Sequence, residues 1–380
     1  MQAAPLAAID RATLTPLVRS ALGSETVEVV DWEVEQLHGG IAVGTSVHRV
    51  SGQGHDQGQT VPWSLVLKIL RPESGSAGTS AWDYFKREVD AYQSGWLDDL
   101  PDGLAAPRCF GVLDHADGTC WIWLEEIVEE IGSQWPLEHY GLVARHVGHF
   151  NGAYLVDRPL PSWPWLSSNW LRHKVGQSAP AIEPLRNALT LPWGRRWLPE
   201  EDSDQFFRLW AERAFFLDAL DRLPQTICHF DLFRRNLFAC KTADGDDQTV
   251  AIDWAFVGRG PIGADLNPLV WMGIALAGVG WDQLRQMEEI VLENYLEGLR
   301  EAGWQGDPQQ VRLGYTAASV RYLFPEIGRW LALILDESLH AKEEQRQGLP
   351  MGGVFDAVAR MRRRLFIELE KARELIGILG

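Results

Sequence analysis

Three oxygen-bearing side chains, Asp231, Asn236 and Asp253, have the types and spacing to handle a metal-bound phosphate. Gln225–Cys240 reads QTICHFDLFRRNLFAC and Thr249–Trp254 reads TVAIDW, with KTADGDDQ between them. The Asp-Gly pair in that connector is a strong turn signal, so the segment predicts a hairpin. Asn236 then opens one strand and Asp253 closes the other, which puts them opposite each other at one end. His229 and Asp231 precede the hairpin on a loop at the same end. Two carboxylates and an amide oxygen converge, a hard-oxygen set that suits magnesium held together with nucleotide phosphates.

Phosphoryl transfer needs few further parts: a cation on the phosphates and a carboxylate that orients the attacking hydroxyl. Asp231 is the expected carboxylate, with Asn236 and Asp253 as metal ligands. Lys68 lies near the end of the apolar run VPWSLVLKIL (Val61 to Leu70), where a lysine without a partner is costly. It is the expected phosphate cation. Glu88, in the following KREVDAY segment, is the expected ion-pair partner of Lys68, with Asp90 as the nearby competitor. The glycine-rich run around Gly40, within Gly39 to Gly44, would let backbone N–H groups approach phosphates. His229 alone reads as a scaffold for its loop rather than a proton carrier.

The elements that must position these groups change character along the chain. Val27 to Leu37 and Val47 to Val50 read as strands around the glycine-rich turn. Ser51 to Thr60 reads as a loop and Val61 to Leu70 as a strand. A Gly/Ser linker covers Glu73 to Thr79, and Ser80 is the expected N-cap of a helix through about Trp96. Strands are expected at Arg108 to Leu113 and Cys120 to Val128, joined by a turn at His115 to Gly118. From Pro136 the periodicity is helical: a long helix from Pro136 to Val156, then an irregular Pro/Trp-rich stretch to about Ser168. Further helices are expected within Asn169 to Ala188 and over Ser203 to Leu223, Ala264 to Val279, Trp281 to Ala302, Asp307 to Leu339 (broken near Pro325) and Gly353 to Leu379. The reading is an α+β chain with a β-rich lobe over residues 1–127 and a helical lobe over residues 128–380.

HFDLFRRNLF followed by AIDW resembles the kinase catalytic loop H-x-D-x-x-x-x-N and its metal-binding Asp. GRGPIGADLNPL and GGIAVGTSVHRV resemble the aminoglycoside phosphotransferase and choline kinase family more than protein kinases, and no A-P-E segment is present. The resemblance implies a two-lobed protein-kinase-like fold, with ATP (or GTP) and Mg2+ as cofactors. It implies Asp231 as catalytic residue, Asn236 and Asp253 as metal ligands, and Lys68 with Glu88 as the phosphate-binding pair. It also implies Glu125 and Ile127 as backbone positions that recognise adenine. The acceptor would be a small-molecule hydroxyl, an aminoglycoside or aminosugar first, with a sugar, amino alcohol or macrolide as alternatives. Two departures stand out: Phe230 replaces the usual Gly between His and Asp, and Trp254-Ala255 replaces Phe-Gly.

Composition bounds the partners. A net charge of -17 argues against nucleic acid, whose phosphates require a basic surface, and favours a cationic acceptor. Apolar residues at 46% and charged residues at 23% are those of a globular protein. The four cysteines form no CxxC pair, which points to free thiols in a reducing cytoplasm. The longest apolar stretch, Leu269 to Val279, is too short for a bilayer, so no membrane partner is expected. Trp163, Trp165, Trp170, Trp193 and Trp197 offer either sugar stacking or ordinary packing. A nucleotide-binding pseudokinase and a metal-dependent phosphohydrolase remain the alternatives from other classes.

Overall fold

The computed structural model of the chain describes residues 6–37, 45–72, 78–79, 81–129, 131–132, 134–276, 278–324 and 326–379. Its described strands are β1 (Glu28–Gln36), β2 (Thr45–Asp56), β3 (Gln59–Leu70), β4 (Leu104–Ala105), β5 (Cys109–Asp114) and β6 (Cys120–Glu125) in the amino-terminal part. β7 (Gln225–Cys228), β8 (Leu237–Lys241), β9 (Asp247–Ala251) and β10 (Gly258–Pro261) follow. Packing groups the chain into two compact units. One runs to Pro136 and includes Trp163–Leu166 and Asp231–Val257; the other comprises Leu137–Ser162, Ser167–Phe230 and the chain from Gly258 onward.

In the first unit, an antiparallel sheet has the order β1-β2-β3-β6-β5, with β3 alternating before a buried end and β6 buried from Cys120 to Leu124. β2 and β3 turn back at Gln57-Gly58, both with positive φ (47° and 86°), the geometry that matches strand twist in a two-residue hairpin. This corrects the loop expected over Ser51 to Thr60, which is strand on both sides of that turn. Its glycines serve close approach instead: a Cβ at Gly52 would stand 2.1 Å from the Asp31 carbonyl oxygen, beside the bulge between Val29 and Asp31. Helix α1 (Arg11–Leu22), not among the elements expected from sequence, is capped by the Asp10 side chain and by Gly23 in the left-handed region. Leu14 and Val18 on α1 pack with Val27, Val29, Val50, Leu65, Leu67, Trp121 and Trp123 in one buried core.

Helix α2 (Arg87–Gln93) is shorter than the expected Ser80-to-Trp96 helix. The Trp82 carbonyl accepts from the Arg87 guanidinium, the Ala81 carbonyl accepts from it and from Tyr84 N–H in a single turn, and Gly95 (φ 72°) follows the helix end. Ser80 lies outside the described residues. A three-stranded sheet of order β4-β9-β8 carries the expected hairpin, with Leu237 opposite Ala251.

In the second unit, α3 (Leu137–Val156) packs on helix Leu284–Glu301, and β7 pairs with β10, a strand missed in sequence. The expected helix Ser203 to Leu223 is two, Glu200–Ala211 and Arg213–Arg222. The apolar stretch after Asp265 forms the helix Leu266–Leu276, whose Leu269, Val270 and Trp271 are buried. Among the described residues no helix is long and apolar enough to cross a membrane. All four cysteines are free, Cys120 and Cys228 buried and Cys109 and Cys240 half-buried.

Candidate active site

Asp231, Asn236, Asp253, Lys68 and Glu88 all belong to the first unit. Asn236 ends a short 3-10 turn (Arg234–Asn236) just before β8, and its carbonyl accepts from the Ile252 N–H at 2.9 Å. That bond ties the two ends of the hairpin, one residue before Asp253. The Asn236 amide Nδ2 donates to the Asp231 carbonyl (2.9 Å) and to Asp231 Oδ2 (3.0 Å). Phe233 N–H donates to the Asp231 carbonyl and Asn236 N–H to the Phe233 carbonyl. The loop is therefore closed on itself, with the Asp231 carboxylate held against the Asn236 amide. Both Nδ2 bonds leave the Asn236 oxygen, Oδ1, as the side-chain atom with acceptor capacity for another partner.

Asp253 has φ 65° and ψ 61°. Asp is one of the few residues besides glycine that enter this left-handed region readily. The turn sends its carboxylate to Lys68, with Nζ–Oδ1 at 2.6 Å. Lys68 lies in β3 between Val47 of β2 and Ile122 of β6, is only 8% exposed, and also reaches Glu88 Oε2 at 2.5 Å. Burial alone would lower the Lys68 pKa, but the charges of Asp253 and Glu88 outweigh it and the net shift is upward. Glu88, 1% exposed, is raised by burial, with Lys68 opposing. Its second oxygen accepts from Trp254 N–H at 3.3 Å, so one carboxylate holds both the lysine and the turn after Asp253. The competitor Asp90 is bonded to the Tyr84 hydroxyl instead.

Arg87 is a residue the sequence reading missed. Fully buried, it donates to the carbonyls of Trp165 (2.8 Å), Trp82 (2.9 Å), Ala255 (3.0 Å) and Ala81. Burial pulls its pKa down to about 10, against the nearby Asp83, Tyr84 and Asp90, so it stays cationic at neutral pH. Neighbouring residues of α2 thus grip the Asp253 turn through the Trp254 N–H and the Ala255 carbonyl. No local pattern in KREVDAY marks Arg87, because its partners are carbonyls up to 168 positions away.

In the second unit, Asp265 (1% exposed) accepts from the N–H groups of His229 (3.0 Å) and Phe230 (2.8 Å). Burial raises its pKa to about 6, opposed by those two N–H bonds, Arg321 and Asn151. Phe230 has φ 65°, where a bulky residue is an outlier costing about 1–2 kcal/mol. Three contacts hold it there. Its ring stacks on Trp170 (centroids 4.9 Å, interplanar 12°), Arg321 donates to its carbonyl while lying 4.5 Å over Trp170, and Asp265 takes its N–H. Gly260 makes room, since a Cβ there would stand 2.4 Å from Phe230 Cζ. The Phe-for-Gly departure is accommodated by these partners, and His229 is wholly buried, as a scaffold residue would be.

Glu125 closes β6; its N–H donates to the Arg108 carbonyl at 2.9 Å and its carboxylate faces Arg108. Ile127 follows in the half-buried link beyond the strand. Gly40, with the rest of residues 38–44, lies outside the described residues. Of the singled-out tryptophans, Trp165, Trp170 and Trp197 are buried, which is packing. Trp163 stacks on Trp165 at 4.9 Å, and Trp193 donates to Glu337.

The sequence pattern of the family described as "Phosphotransferase enzyme family" matches residues 95–312, more than half of the chain. A comparison with curated protein sequences finds no significant match. Among solved structures, amicoumacin kinase hAmiN in complex with AMP-PNP, Ca2+ and Ami is similar (TM-score 0.54, 13% identity, 97% of this chain and 96% of that one). So are spectinomycin phosphotransferase APH(9)-Ia in complex with ADP and spectinomycin (0.50, 13%, 94% and 99%) and choline kinase from Cryptosporidium parvum (0.50, 14%, 97% and 97%). At these identities the likeness shows the fold: kinase-like, with a β-rich amino-terminal region and a helical carboxy-terminal region.

Proposed function

This chain belongs to the phosphotransferase enzyme family, and we propose that it transfers the γ-phosphoryl group of ATP to a hydroxyl of a small molecule. The observation that carries the reading is the three-way bridge in which Lys68 binds Glu88 and Asp253. A buried ammonium between two carboxylates, in the same unit as a self-closed Asp231–Asn236 loop, supports phosphate chemistry better than a structural ion pair does. Its two bonds are not equivalent. Glu88 is buried, whereas Asp253 is 39% exposed at its side chain. A bound nucleotide would offer phosphate oxygens to Lys68 and its cation would offer a partner to Asp253, so the exposed Lys68–Asp253 bond is the one that would give way, with Lys68–Glu88 kept.

The donors fit magnesium. Asp253 and Asn236 Oδ1 are hard oxygens, and a cation that keeps phosphate and water ligands needs few from protein. When bound, Mg2+ would neutralise charge on the phosphates. The chain's own residues do the rest. Lys68 holds the phosphates, and Asp231 orients the acceptor hydroxyl and accepts its proton as the new P–O bond forms and the bond to ADP breaks. Glu125 and Ile127 would present backbone groups to adenine, and the glycines around Gly40 would approach the phosphates. On this reading residues 1–127 form the nucleotide-binding lobe, and residues 128–380 carry the catalytic loop and acceptor site.

The net charge of -17 favours a cationic acceptor, an aminoglycoside or aminosugar, which would give the protein a place in antibiotic resistance. The same charge speaks against nucleic acid, and a cytoplasmic location fits four free thiols. The test is ATP or GTP consumption, with Mg2+, against aminoglycosides, sugars, amino alcohols and macrolides, wild type beside Asp231→Ala. Acceptor-dependent turnover lost in the variant supports the proposal. Nucleotide binding without turnover for every acceptor, or equal turnover in both proteins, sinks it in favour of a pseudokinase or a different site.

A further inference from the structure

Between the link that follows Ile127 and the catalytic loop lies a compact cluster that the proposed chemistry does not use. Glu129 Oε2 pairs with Arg234 Nη2 at 2.6 Å, with only 16% and 11% of the two side chains exposed. Glu129 Oε1 accepts from Trp135 Nε1 at 2.8 Å and from the Ala239 N–H of β8 at 3.4 Å. Arg234 donates to the carbonyls of Leu237 (3.0 Å) and Gly132 (3.3 Å), and its guanidinium lies 4.2 Å over the Trp135 ring. The planar fork and flat face of arginine are both engaged, which a lysine could not reproduce.

The chain positions give this cluster its meaning. Glu129 stands two residues after Ile127, and Arg234 lies between Asp231 and Asn236. The loop's internal bonds, Phe233 N–H to Asp231 and Asn236 N–H to Phe233, run through the same turn that Arg234 begins. Besides these bonds, the two from Asn236 Nδ2 to Asp231, and the tie of Asn236 to Ile252, the turn has a further hold on its Arg234 side. Glu129 and Trp135 supply the hold, and they do so from the segment next to the expected adenine positions.

We propose that Arg234 is a positioning residue: through Glu129 and Trp135 it sets the geometry of the Asp231–Asn236 loop from the segment that follows Ile127. The consequence for turnover rests on the phosphotransferase reading above; the hold on the loop does not. Glu129 is 16% exposed at its side chain, so losing Arg234 leaves a largely enclosed carboxylate without its cation and weakens the tie between the segment and the loop.

The experiment uses the full chain with R234M, E129Q, the double variant and R234K, and the acceptor found in the screen. R234M is expected to lower kcat by about tenfold or more, because a small displacement of an attacking group is costly. KM for ATP should stay within about threefold, since no nucleotide contact is removed. The double variant should fall no further than the worse single, and R234K should recover part of kcat. Wild-type kcat in folded R234M, or losses that multiply in the double variant, overturns the proposal. Hydrogen exchange reads the hold without turnover: the Phe233 and Asn236 amides should exchange about tenfold faster in R234M, a local opening. If R234M does not fold, E129Q is read the same way, and unchanged protection in the folded variant overturns the proposal. A wild type that turns over no nucleotide sinks the phosphotransferase reading, and exchange then decides alone on Arg234.

Discussion

Lys68 Nζ stands 2.6 Å from Asp253 Oδ1, although 185 positions separate the two residues, and the same ammonium lies 2.5 Å from Glu88. The bridge joins the central strand of the sheet, helix α2 and the end of the hairpin. Removing the ammonium in K68M leaves Glu88 as a buried uncompensated charge, a change that costs about 3–5 kcal/mol. Urea unfolding should show that loss, and KM for ATP should rise in the same variant. A K68M protein as stable as wild type would mean that Glu88 is not held by this pair.

Asn236 spends its Nδ2 on Asp231 and keeps Oδ1 for another partner. In N236A both functions go. The Mg2+ concentration for half-maximal turnover should rise by about tenfold or more, the range for losing a group that holds or orients a metal. Titrating turnover with Mg2+ at saturating ATP measures it. An unchanged metal requirement with a lowered kcat would assign Asn236 to the loop alone.

Phe230 and Gly260 are a matched pair. G260A drives a methyl into Phe230 Cζ and Cys228 Sγ, at 2.4 and 2.9 Å, and should destabilise by about 1–3 kcal/mol as overpacking does. F230G removes the ring from Trp170 while relieving the left-handed backbone. In the double variant the clash with the ring is gone, so its loss should be smaller than the sum of the singles. Chemical denaturation of all four proteins closes the cycle. Strict additivity would show that the two residues do not meet.

Asp265 titrates in a known direction. Burial lifts its folded pKa to about 6 from 3.8, so the folded chain holds this proton more tightly than the unfolded chain. Stability from that proton is fully present below about pH 3.8 and lost as pH rises through about 6. In Asp265→Asn the site cannot titrate. The stability gap between wild type and the variant should therefore shift toward the variant between these values and stay flat above them. Urea unfolding at stepped pH measures the gap. A shift toward wild type on the way to neutrality would mean that the His229 and Phe230 N–H groups and Arg321 outweigh burial.

The candidate set was legible in one dimension because its spacing is local. H-x-D, the Asn five residues after Asp231, and an apolar strand running into Asp253 fit within a single hairpin and the loop just before it, and a turn signal between two strands suffices to bring the hairpin ends together. Lys68 announced itself as a lysine in an apolar run, because burial demands a partner. Glu88 and Asp90 share one short helix, and the fold sets Glu88 against Lys68, with Nζ–Oε2 at 2.5 Å. The strands over Ser51 to Thr60 were not legible, because their glycines lower strand propensity and answer instead to the approach of β1.

What only the tertiary structure decided concerns support rather than reaction. Arg87 on four carbonyls, Arg234 on Glu129 and Trp135, and Phe230 among Trp170, Arg321 and Gly260 join residues tens to more than a hundred positions apart. Each depends on complementary shape and on burial that strengthens its polar bonds, and neither is written in local spacing. By itself the sequence determined the candidate groups Asp231, Asn236 and Asp253 at and beside one hairpin, through residue type and short-range register. The fold alone decided what holds them still.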